Sequence, residues 1–400
     1  LLQGKTIVLG ISGGIAAYKA VDLASRMIKQ GARVRVIMTS SACKLIQPIT
    51  LQSITGEPVA TGMFDQSARW DIEHIELASA ADLFLIAPAT YNIIGKVARG
   101  IADDLLSTTI AATNAPVIFA PAMNTRMYEN PILQANIREL QELDYSFIEP
   151  DVGRMACGTE GAGRLAENER IIEEVIRALT TKDLPGMRLL VTAGPTREHI
   201  DPVRIMTNPS TGKMGFALAQ AALRRGAQVT LISGPTDLRP PWGLQEMVRV
   251  ETTGEMLEAV GERCLDQDVL IKAAAPMDYR PAETYTMKVK KEQQAEMAVA
   301  LQRNEDILEI IGRKKGDRIL VGFAAETENI LDNARDKLKR KYLDFIVAND
   351  VLADGSGFAA DTNQAILVFP DAHEELPPLS KLDLAHRILD EVQKLRREIK

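Results

Sequence analysis

In the first half of this chain, three residues are of types that do chemistry and stand where loops meet predicted elements. Cys157 lies in Met155-Ala156-Cys157-Gly158, inside the glycine-dense stretch 151–164. A thiol on a polar loop is unlike the usual buried cysteine that only packs, and Cys157 is the strongest single-residue signal in the chain. Cys43 and Cys264 read as structural. His74 stands among carboxylates in Asp71-Ile72-Glu73-His74-Ile75-Glu76-Leu77, although a lone histidine is more often structural or exposed. Asn124 follows a predicted strand in Pro121-Ala122-Met123-Asn124, where asparagine is commonly a turn residue. Gly13-Gly14 opens a helix, which suits either a tight turn or a phosphate. Ser12, Thr39 and Ser40 add hydroxyls at neighbouring strand ends, which favours the phosphate of a mononucleotide such as FMN.

The second half carries a comparable turn. Ser210-Thr211-Gly212-Lys213 opens an apolar-periodic helix over 214–225, after a short apolar run at 189–192 and before another at 228–233. Strand, glycine turn, helix, glycine and strand make a βαβ unit. It is not a P-loop: Met214 follows the lysine, and Thr207 stands where that motif has its first glycine. A GxGxxG dinucleotide pattern is also missing, which disfavours a Rossmann dehydrogenase. Lys337 and Lys341 are spaced i, i+4 on one helix face, so both can reach the same phosphates.

These residues need elements to hold them. Short apolar runs bounded by Gly, Ser, Thr, Pro or Asn predict buried parallel strands at 6–10, 34–38, 81–87 and 116–120, then at 189–192, 228–233, 269–275, 319–324, 345–348 and 365–369. Helices are predicted at 94–100, 168–179, 214–225, 329–341 and 381–397, with one ending near Gln30-Gly31 and another starting at 103–107. The stretch 151–164 reads as an irregular loop, functional or mobile. QGARVRVIMTS and RGAQVTLISGP repeat the same pattern almost half the chain apart, which indicates two α/β modules: domains 1–186 and 187–400, joined by a linker at 180–186. In doubly wound sheets, ligands bind along the edge formed by the strands' C-terminal ends.

Composition narrows the function. A net charge of −7 argues against general nucleic-acid binding. Three cysteines form no disulfide framework and suit a reducing, cytoplasmic setting. No apolar run spans a bilayer, and LLQGKTIVLGISGG enters a strand at once and does not read as a signal peptide.

HIELA, APAT, PAMNTRMYENP and ACGTEGAGR resemble the signature set of the flavin-dependent cysteine decarboxylases. TAGPTREHIDPVRIMTNPSTGKMG, KVKK and GFAAET resemble the phosphopantothenate–cysteine ligases. In this order, and over essentially the whole chain, they resemble the bacterial bifunctional coenzyme A biosynthesis family. The resemblance implies an α/β architecture of two Rossmann-like doubly wound domains, a flavodoxin-like decarboxylase and a Rossmann/ribokinase-like ligase. It implies that cysteine is joined to 4′-phosphopantothenate with CTP through an acyl-cytidylate, and that the product is decarboxylated with FMN to 4′-phosphopantetheine. FMN makes that loss of CO2 possible by taking electrons from the cysteinyl thiol and later returning them.

By the same resemblance, Gly13, Gly14, Ile15, Thr39, Thr90 and Ala122 line FMN, Asn124 holds the substrate carboxylate, and His74 acts in the oxidation half or positions substrate. Cys157 is the proton donor, as a thiol with a pKa of about 8.5 is suited to be. In the ligase half, Asn208 matches the asparagine that binds the acyl-cytidylate, and Lys288 matches the catalytic lysine. Asp278 meets cytosine, ribose or Mg2+; Ala273, Ala274, Ala275, Asn304, Glu305, Asp306, Ile307, Phe323, Lys337 and Lys341 shape the CTP pocket. Lys290 and Lys291 read as solvated surface charges. The expected partners are small molecules and further copies of the chain, as decarboxylase trimers and ligase dimers building a dodecamer. The family commonly has SNHSSGKMG, VADYRP and NPDI where this chain has Thr207-Asn208-Pro209-Ser210-Thr211-Gly212-Lys213, Pro276-Met277-Asp278-Tyr279-Arg280-Pro281 and Asn304-Glu305-Asp306-Ile307. A chain with only one active half, or a flavin-binding regulatory subunit, is the alternative; the latter would be expected to have a degraded cysteine loop or acidic tails.

Overall fold

The computed structural model describes residues 1–63, 73–154, 158, 160–289, 298–326, 329–350 and 362–399. The chain forms two compact units, Leu1–Thr180 and Thr181–Lys400. Both are α/β, as expected, and no helix among the described residues is long and apolar enough to cross a membrane.

Six strands build the first sheet: β1 (Thr6–Ile11), β2 (Arg33–Met38), β3 (Val59–Ala60), β4 (Leu83–Ala89), β5 (Val117–Pro121) and β6 (Ser146–Phe147). All pairs are parallel, in the order β3-β2-β1-β4-β5-β6. Strand side chains alternate between faces, and both faces are apolar here. Ile7, Leu9, Val34, Val36, Leu83 and Leu85 bury under the helices Lys19–Lys29 and Asn168–Leu179. Val8, Ile37, Phe84 and Ile86 bury under four helices on the other side, including Tyr91–Ala98 and Leu105–Ala112. The latter starts at a reciprocal cap: Asp104 Oδ1 accepts from the Ser107 amide at 2.8 Å, and Ser107 Oγ accepts from the Asp104 amide at 3.2 Å. The order of strands reverses direction between β1 and β4, which opens a crevice at their C-terminal ends.

The stretch 151–164 differs from its expectation. It contains an antiparallel hairpin, β7 (Asp151–Arg154) and β8 (Glu160–Arg164), in which Gly153 faces Gly161. A Cβ on Gly161 would stand 2.6 Å from Thr125 Oγ1, so its glycine lets the hairpin lie against the segment after β5. The Met123 amide donates to Gly163 O at 2.9 Å and fixes that contact.

In the second unit the strands are β9 (Arg188–Ala193), β10 (Arg197–His199), β11 (Ile205–Thr207), β12 (Gln228–Ser233), β13 (Glu246–Arg249), β14 (Val269–Lys272), β15 (Tyr279–Pro281), β16 (Leu301–Arg303), β17 (Ile319–Glu326), β18 (Phe345–Asp350), β19 (Thr362–Asn363), β20 (Ala365–Val368), β21 (His373–Glu375) and β22 (Leu379–Ser380). The main sheet runs β13-β12-β9-β14-β17-β18-β20-β21, parallel up to β18 and antiparallel beyond. Its switch point lies between β9 and β14. The run 269–275, expected as one strand, stops at Lys272. From there the backbone turns onto β9: the Ala273 amide donates to Thr192 O, the Ala274 amide to Thr192 Oγ1, and the Ala275 amide to Gly194 O.

Residues 181–186, read in the sequence as a linker, pack with this unit. Leu184 is buried in its core. Asp183 is joined to Arg225, which is only 5% exposed. Arg225 Nε and Nη2 donate to the two Asp183 oxygens at 2.8 and 2.6 Å, and Nη1 donates to Asp390 Oδ1 at 2.8 Å and His386 O at 3.0 Å. One guanidinium thus ties the entering chain to the C-terminal helix Lys381–Ile399. We expect Arg225→Ala to destabilise the second unit by about 3 kcal/mol, because it strips charge-assisted bonds from two carboxylates. Urea unfolding of the full chain checks this: the transition of the second unit should move to lower urea while that of the first stays in place.

Candidate functional site

The C-terminal edge of the first sheet holds a cavity of about 600 Å3, within the range of small-molecule sites. Gly13, Gly14, Ile15, Thr90, Ala122 and Asn124, all singled out in the sequence, line it together. Ser12, 2% exposed, fastens the two central strand ends: its Oγ donates to Pro88 O at 2.7 Å and accepts from the Thr90 amide at 3.0 Å. Gly14 keeps the floor open. A Cβ there would lie 3.4 Å from Thr90 Cγ2, 3.6 Å from Pro88 Cγ and 3.7 Å from Ala122 O. Gly13 is needed for a different reason, since its Cβ would strike Ser41 Cβ at 2.3 Å.

A smaller cavity of about 380 Å3 shares Gly13, Thr90, Tyr91 and Met127 with the first and adds Ser12, Thr39, Ser40 and Ser41. Thr39 Oγ1 accepts from the Ala42 amide at 3.2 Å. Lys96 reaches this cavity already paired, with Nζ 2.6 Å from Asp103 Oδ1 and 2.7 Å from Asp104 Oδ2. Burial works against its charge, but these two carboxylates outweigh burial and raise its pKa above the ordinary lysine value. An apolar slot walled by Ile15, Ala122, Met123 and Leu165, beside a hydroxyl-lined chamber, fits the ring system and phosphate of FMN.

Asn124 caps the short helix Thr125–Tyr128, with Oδ1 accepting from the Arg126 amide at 2.9 Å. His74 sits half-buried on the helix Glu73–Ala80 and does not line this cavity. Cys157 lies outside the described residues; by position it falls between β7 and β8. Arg154 and Arg164, from those two strands, line the cavity and were missed in the sequence, where they read only as part of a glycine-rich loop.

The switch point of the second sheet holds a cavity of about 340 Å3, lined on one side by 208–214 and on the other by 272–276 and Asp278. Asn208, Ala273, Ala274, Ala275, Asp278 and Phe323 all line it. Asn208 Nδ2 donates to Ala275 O at 3.2 Å and Pro276 O at 3.1 Å, which clamps the two sides together and presents Oδ1 as the remaining atom of the amide. Asp278 is exposed at the mouth. Among the described residues no cluster of three or more His, Cys, Asp or Glu could hold a metal alone.

Other predicted residues of the ligase half lie around this cavity. Asn304 is buried and braces the loop that carries Asp278: its amide donates to Asp278 O at 2.8 Å, Nδ2 donates to Met277 O at 2.9 Å, and Oδ1 accepts from Arg280 Nη1 at 2.9 Å. Glu305 is exposed and Ile307 is core. Asp306 caps the helix Ile307–Gly312 and pairs with Lys341 Nζ at 2.7 Å. Burial opposes its charge, but the Lys341 ammonium prevails and lowers its pKa. Lys337 is half-buried on the same helix as Lys341. Lys288 is exposed and does not line the cavity.

The position of Lys288 is set by the next residue. The Val289 amide donates to Asp201 Oδ2 at 3.2 Å, and Val289 O accepts from Arg204 Nη2 at 2.9 Å. Asp201 is fully buried and also accepts from the Val203 and Arg204 amides, both at 2.8 Å. Its pKa is pushed far below the usual carboxylate range, chiefly by hydrogen bonding to the Arg204 side chain. The Asp201-Pro202-Val203-Arg204 segment is thus an anchor for the lysine-bearing segment. Lys290 and Lys291 lie outside the described residues.

Lys213, Lys272 and Lys381 also line the cavity and were missed in the sequence. Lys272 gives the clearest available signal, a charge inside the apolar run Val269-Leu270-Ile271-Lys272-Ala273. Its pKa is pushed down to about 8, first by burial and then by the Lys341 ammonium, with Asp306 and Asp278 acting in the opposite direction.

Comparison with known proteins agrees with this division. Residues 1–180 match the family model described as Flavoprotein, and residues 184–395 match that described as DNA/pantothenate metabolism flavoprotein C-terminal domain. The chain is 48% identical to the coenzyme A biosynthesis bifunctional protein CoaBC of Bacillus subtilis (strain 168), covering 100% of this chain and 99% of that protein. It is 44% identical to the protein of the same name from Vibrio vulnificus (strain YJ016), over 98% of each chain. A solved structure of the C-terminal domain of a CoaBC protein is 42% identical, covers 55% of this chain and 100% of that one, and superposes with a TM-score of 0.47. With both family models matched in order and relatives similar over the full length, the chain belongs to the family of coenzyme A biosynthesis bifunctional proteins.

Proposed function

We propose that the second unit ligates cysteine to 4′-phosphopantothenate, using CTP through an acyl-cytidylate and releasing CMP and pyrophosphate. The first unit, with FMN, then decarboxylates 4′-phosphopantothenoylcysteine to 4′-phosphopantetheine and CO2. The decarboxylase domain is taken as 1–186 and the ligase domain as 187–400. The observation that carries this reading is the full-length similarity to two-part relatives, with a cavity at the switch point of each sheet.

In the first domain, Gly13, Gly14, Ile15, Thr90 and Ala122 hold the flavin ring, and Thr39 stands with the phosphate. Bound FMN supplies a reversible two-electron sink, which a cysteinyl carboxylate lacks by itself. Asn124 holds the substrate carboxylate; its Oδ1 accepts from the Arg126 amide, which steadies the side chain at the cavity. Cys157 donates the proton that completes the product. His74 positions substrate in the cavity of a neighbouring copy, which accounts for its absence from the cavity lining of its own chain. Ile15 and Tyr18, exposed beside the cavity, support a trimeric contact at that rim.

In the second domain, Asn208 orients the acyl-cytidylate, and the Ala273-Ala274-Ala275 turn with Phe323 walls the nucleotide. Lys288, Lys337 and Lys341 meet the negative charge that grows on the triphosphate. Asn304 acts by bracing the Asp278 loop, with Glu305, Asp306 and Ile307 forming the adjoining wall. Mg2+ is the expected metal: it commonly takes one or two carboxylates with substrate phosphates and water, and Asp278 is an acidic side chain lining this cavity. The ligase domain dimerises, and trimers and dimers together give a dodecamer in the cytoplasm.

Three outcomes follow. Gly14→Leu should empty the flavin slot: the purified protein loses its visible flavin bands while the first unit melts within a few degrees of wild type. Cys157→Ser should lower phosphopantetheine formation by about 10²–10⁴-fold, the usual contribution of a positioned acid, and leave CTP-dependent pyrophosphate release unchanged; normal phosphopantetheine output would remove Cys157 from the mechanism. Lys288→Gln should slow pyrophosphate release by about 10²–10³-fold with decarboxylation of supplied phosphopantothenoylcysteine intact. Undiminished release would contradict its role.

A further inference from the structure

Arg154 and Arg164 stand on β7 and β8, and both line the cavity of the first unit. Both are exposed as well as lining it, so they stand where the cavity opens to solvent. Among the described residues neither guanidinium makes a hydrogen bond or an ion pair. Carboxylates do lie across the hairpin, Glu160 opposite Arg154 and Asp151 opposite Arg164. Neither closes a pair with the arginine it faces, and Asp151 lies 3.8 Å from Arg170 instead. What places Arg164 is backbone. A Cβ on Gly153 would stand 2.7 Å from Arg164 Nη1 and 3.3 Å from its Cδ, so the side chain lies across β7 where glycine leaves it room.

The surroundings specify the sign of the ligand's charge. The charged side chains lining the cavity are Lys19, Arg154 and Arg164, with no carboxylate among the described lining residues. The decarboxylase reaction brings several anions to choose from. The flavin phosphate has its own place in the chamber of Ser12, Thr39, Ser40 and Ser41, which neither arginine lines. The reacting carboxylate is a poor match. It loses its charge as CO2 departs, so a guanidinium held to it would stabilise the starting state more than the transition state and slow the reaction. The terminal phosphate of the substrate keeps its charge throughout, and the planar fork of N–H donors on an arginine suits it. It is also at the far end of the substrate from the reacting cysteinyl group, as the exposed arginines are at the opening of the cavity.

We propose that Arg164, with Arg154, binds the terminal phosphate of 4′-phosphopantothenoylcysteine and makes the first unit selective for the phosphorylated substrate. This rests on the decarboxylase reading given above.

The test uses the full-length protein with Arg164→Met, Arg164→Lys and Arg154→Met. It follows CO2 release from supplied 4′-phosphopantothenoylcysteine and from pantothenoylcysteine, which lacks the phosphate. Wild type should have the lower KM for the phosphorylated compound. Arg164→Met should raise that KM by about 10-fold, a moderate figure for a charge-assisted pair open to water, and leave KM for pantothenoylcysteine and both kcat values in place. Arg154→Met should act in the same direction, and Arg164→Lys should restore part of the loss. An equal rise in KM for both compounds would assign the arginines to the carboxylate and overturn the proposal. Unchanged KM values, or a wild type that does not distinguish the two compounds, would overturn it as well. Loss of the visible flavin bands from the variants would assign the arginines to FMN, and a change in oligomer mass would assign them to a contact between copies; either result also sinks it. If wild type releases no CO2 from either compound, the decarboxylase reading fails and this assignment falls with it. A fault confined to the arginine variants concerns the assignment alone.

Discussion

Each unit depends on how closely its backbone can approach itself where the first strand hands over to the first helix. In the second unit the helix Lys213–Arg224 lies so near β9 that a Cβ on Gly215 would sit 2.5 Å from Ala193 Cβ and 2.8 Å from Thr192 O. After β12 the constraint is harder still, since a Cβ on Gly234 would sit 1.7 Å from Pro195 O. In the first unit Gly13 plays the same part against Ser41. Such contacts, which no side chain can share, draw neighbouring strand ends together. They pack the end of each first strand against its neighbour on one side of the switch point.

Much of this was legible in the sequence because buried parallel strands leave a plain trace. Both faces are covered, so they read as short apolar runs, and the chain must turn where each run ends. The strand Gln228–Ser233 and the helix Asn168–Leu179 fall at the bounds expected from that trace. Where the trace fails, the backbone is following something other than its own side chains. Ala273-Ala274-Ala275 is as apolar as a strand but leaves the ladder to bond Thr192 and Gly194. The β7–β8 hairpin is nearly devoid of apolar side chains and pairs through glycines, so periodicity has nothing to register. Asn304 shows the same limit in a site residue: its spacing is visible, but its three hydrogen bonds to the loop around Asp278 are a tertiary fact.

The Asp201 anchor explains why a stretch with no catalytic group of its own belongs to the ligase signature. Lys288 is exposed, and a long flexible cation held at one end samples many positions. Fastening Val289 from both its amide and its carbonyl restricts the backbone that carries the lysine. With its pKa held far below the usual range, the Asp201 carboxylate stays charged across neutral pH. The stability it contributes is present above the unfolded carboxylate pKa and is lost only as pH falls through the depressed folded value.

The two cavities solve different problems with the same edge of the same kind of sheet. In the hydroxyl-lined chamber beside the flavin slot Lys96 is matched by Asp103 and Asp104, while Arg154 and Arg164 line the slot itself. A group that stays through many turnovers can be held largely by the shape of its slot. The ligase cavity is lined by Lys213, Lys272 and Lys381 and by Asn349, whose Oδ1 has no hydrogen-bond partner among the described residues. Its ligands arrive, react and leave as CMP and pyrophosphate, so affinity for charge must be available in the empty site. A buried polar oxygen left without a partner weakens the empty state and is satisfied in the filled one, and that difference favours binding of a substrate that must later depart.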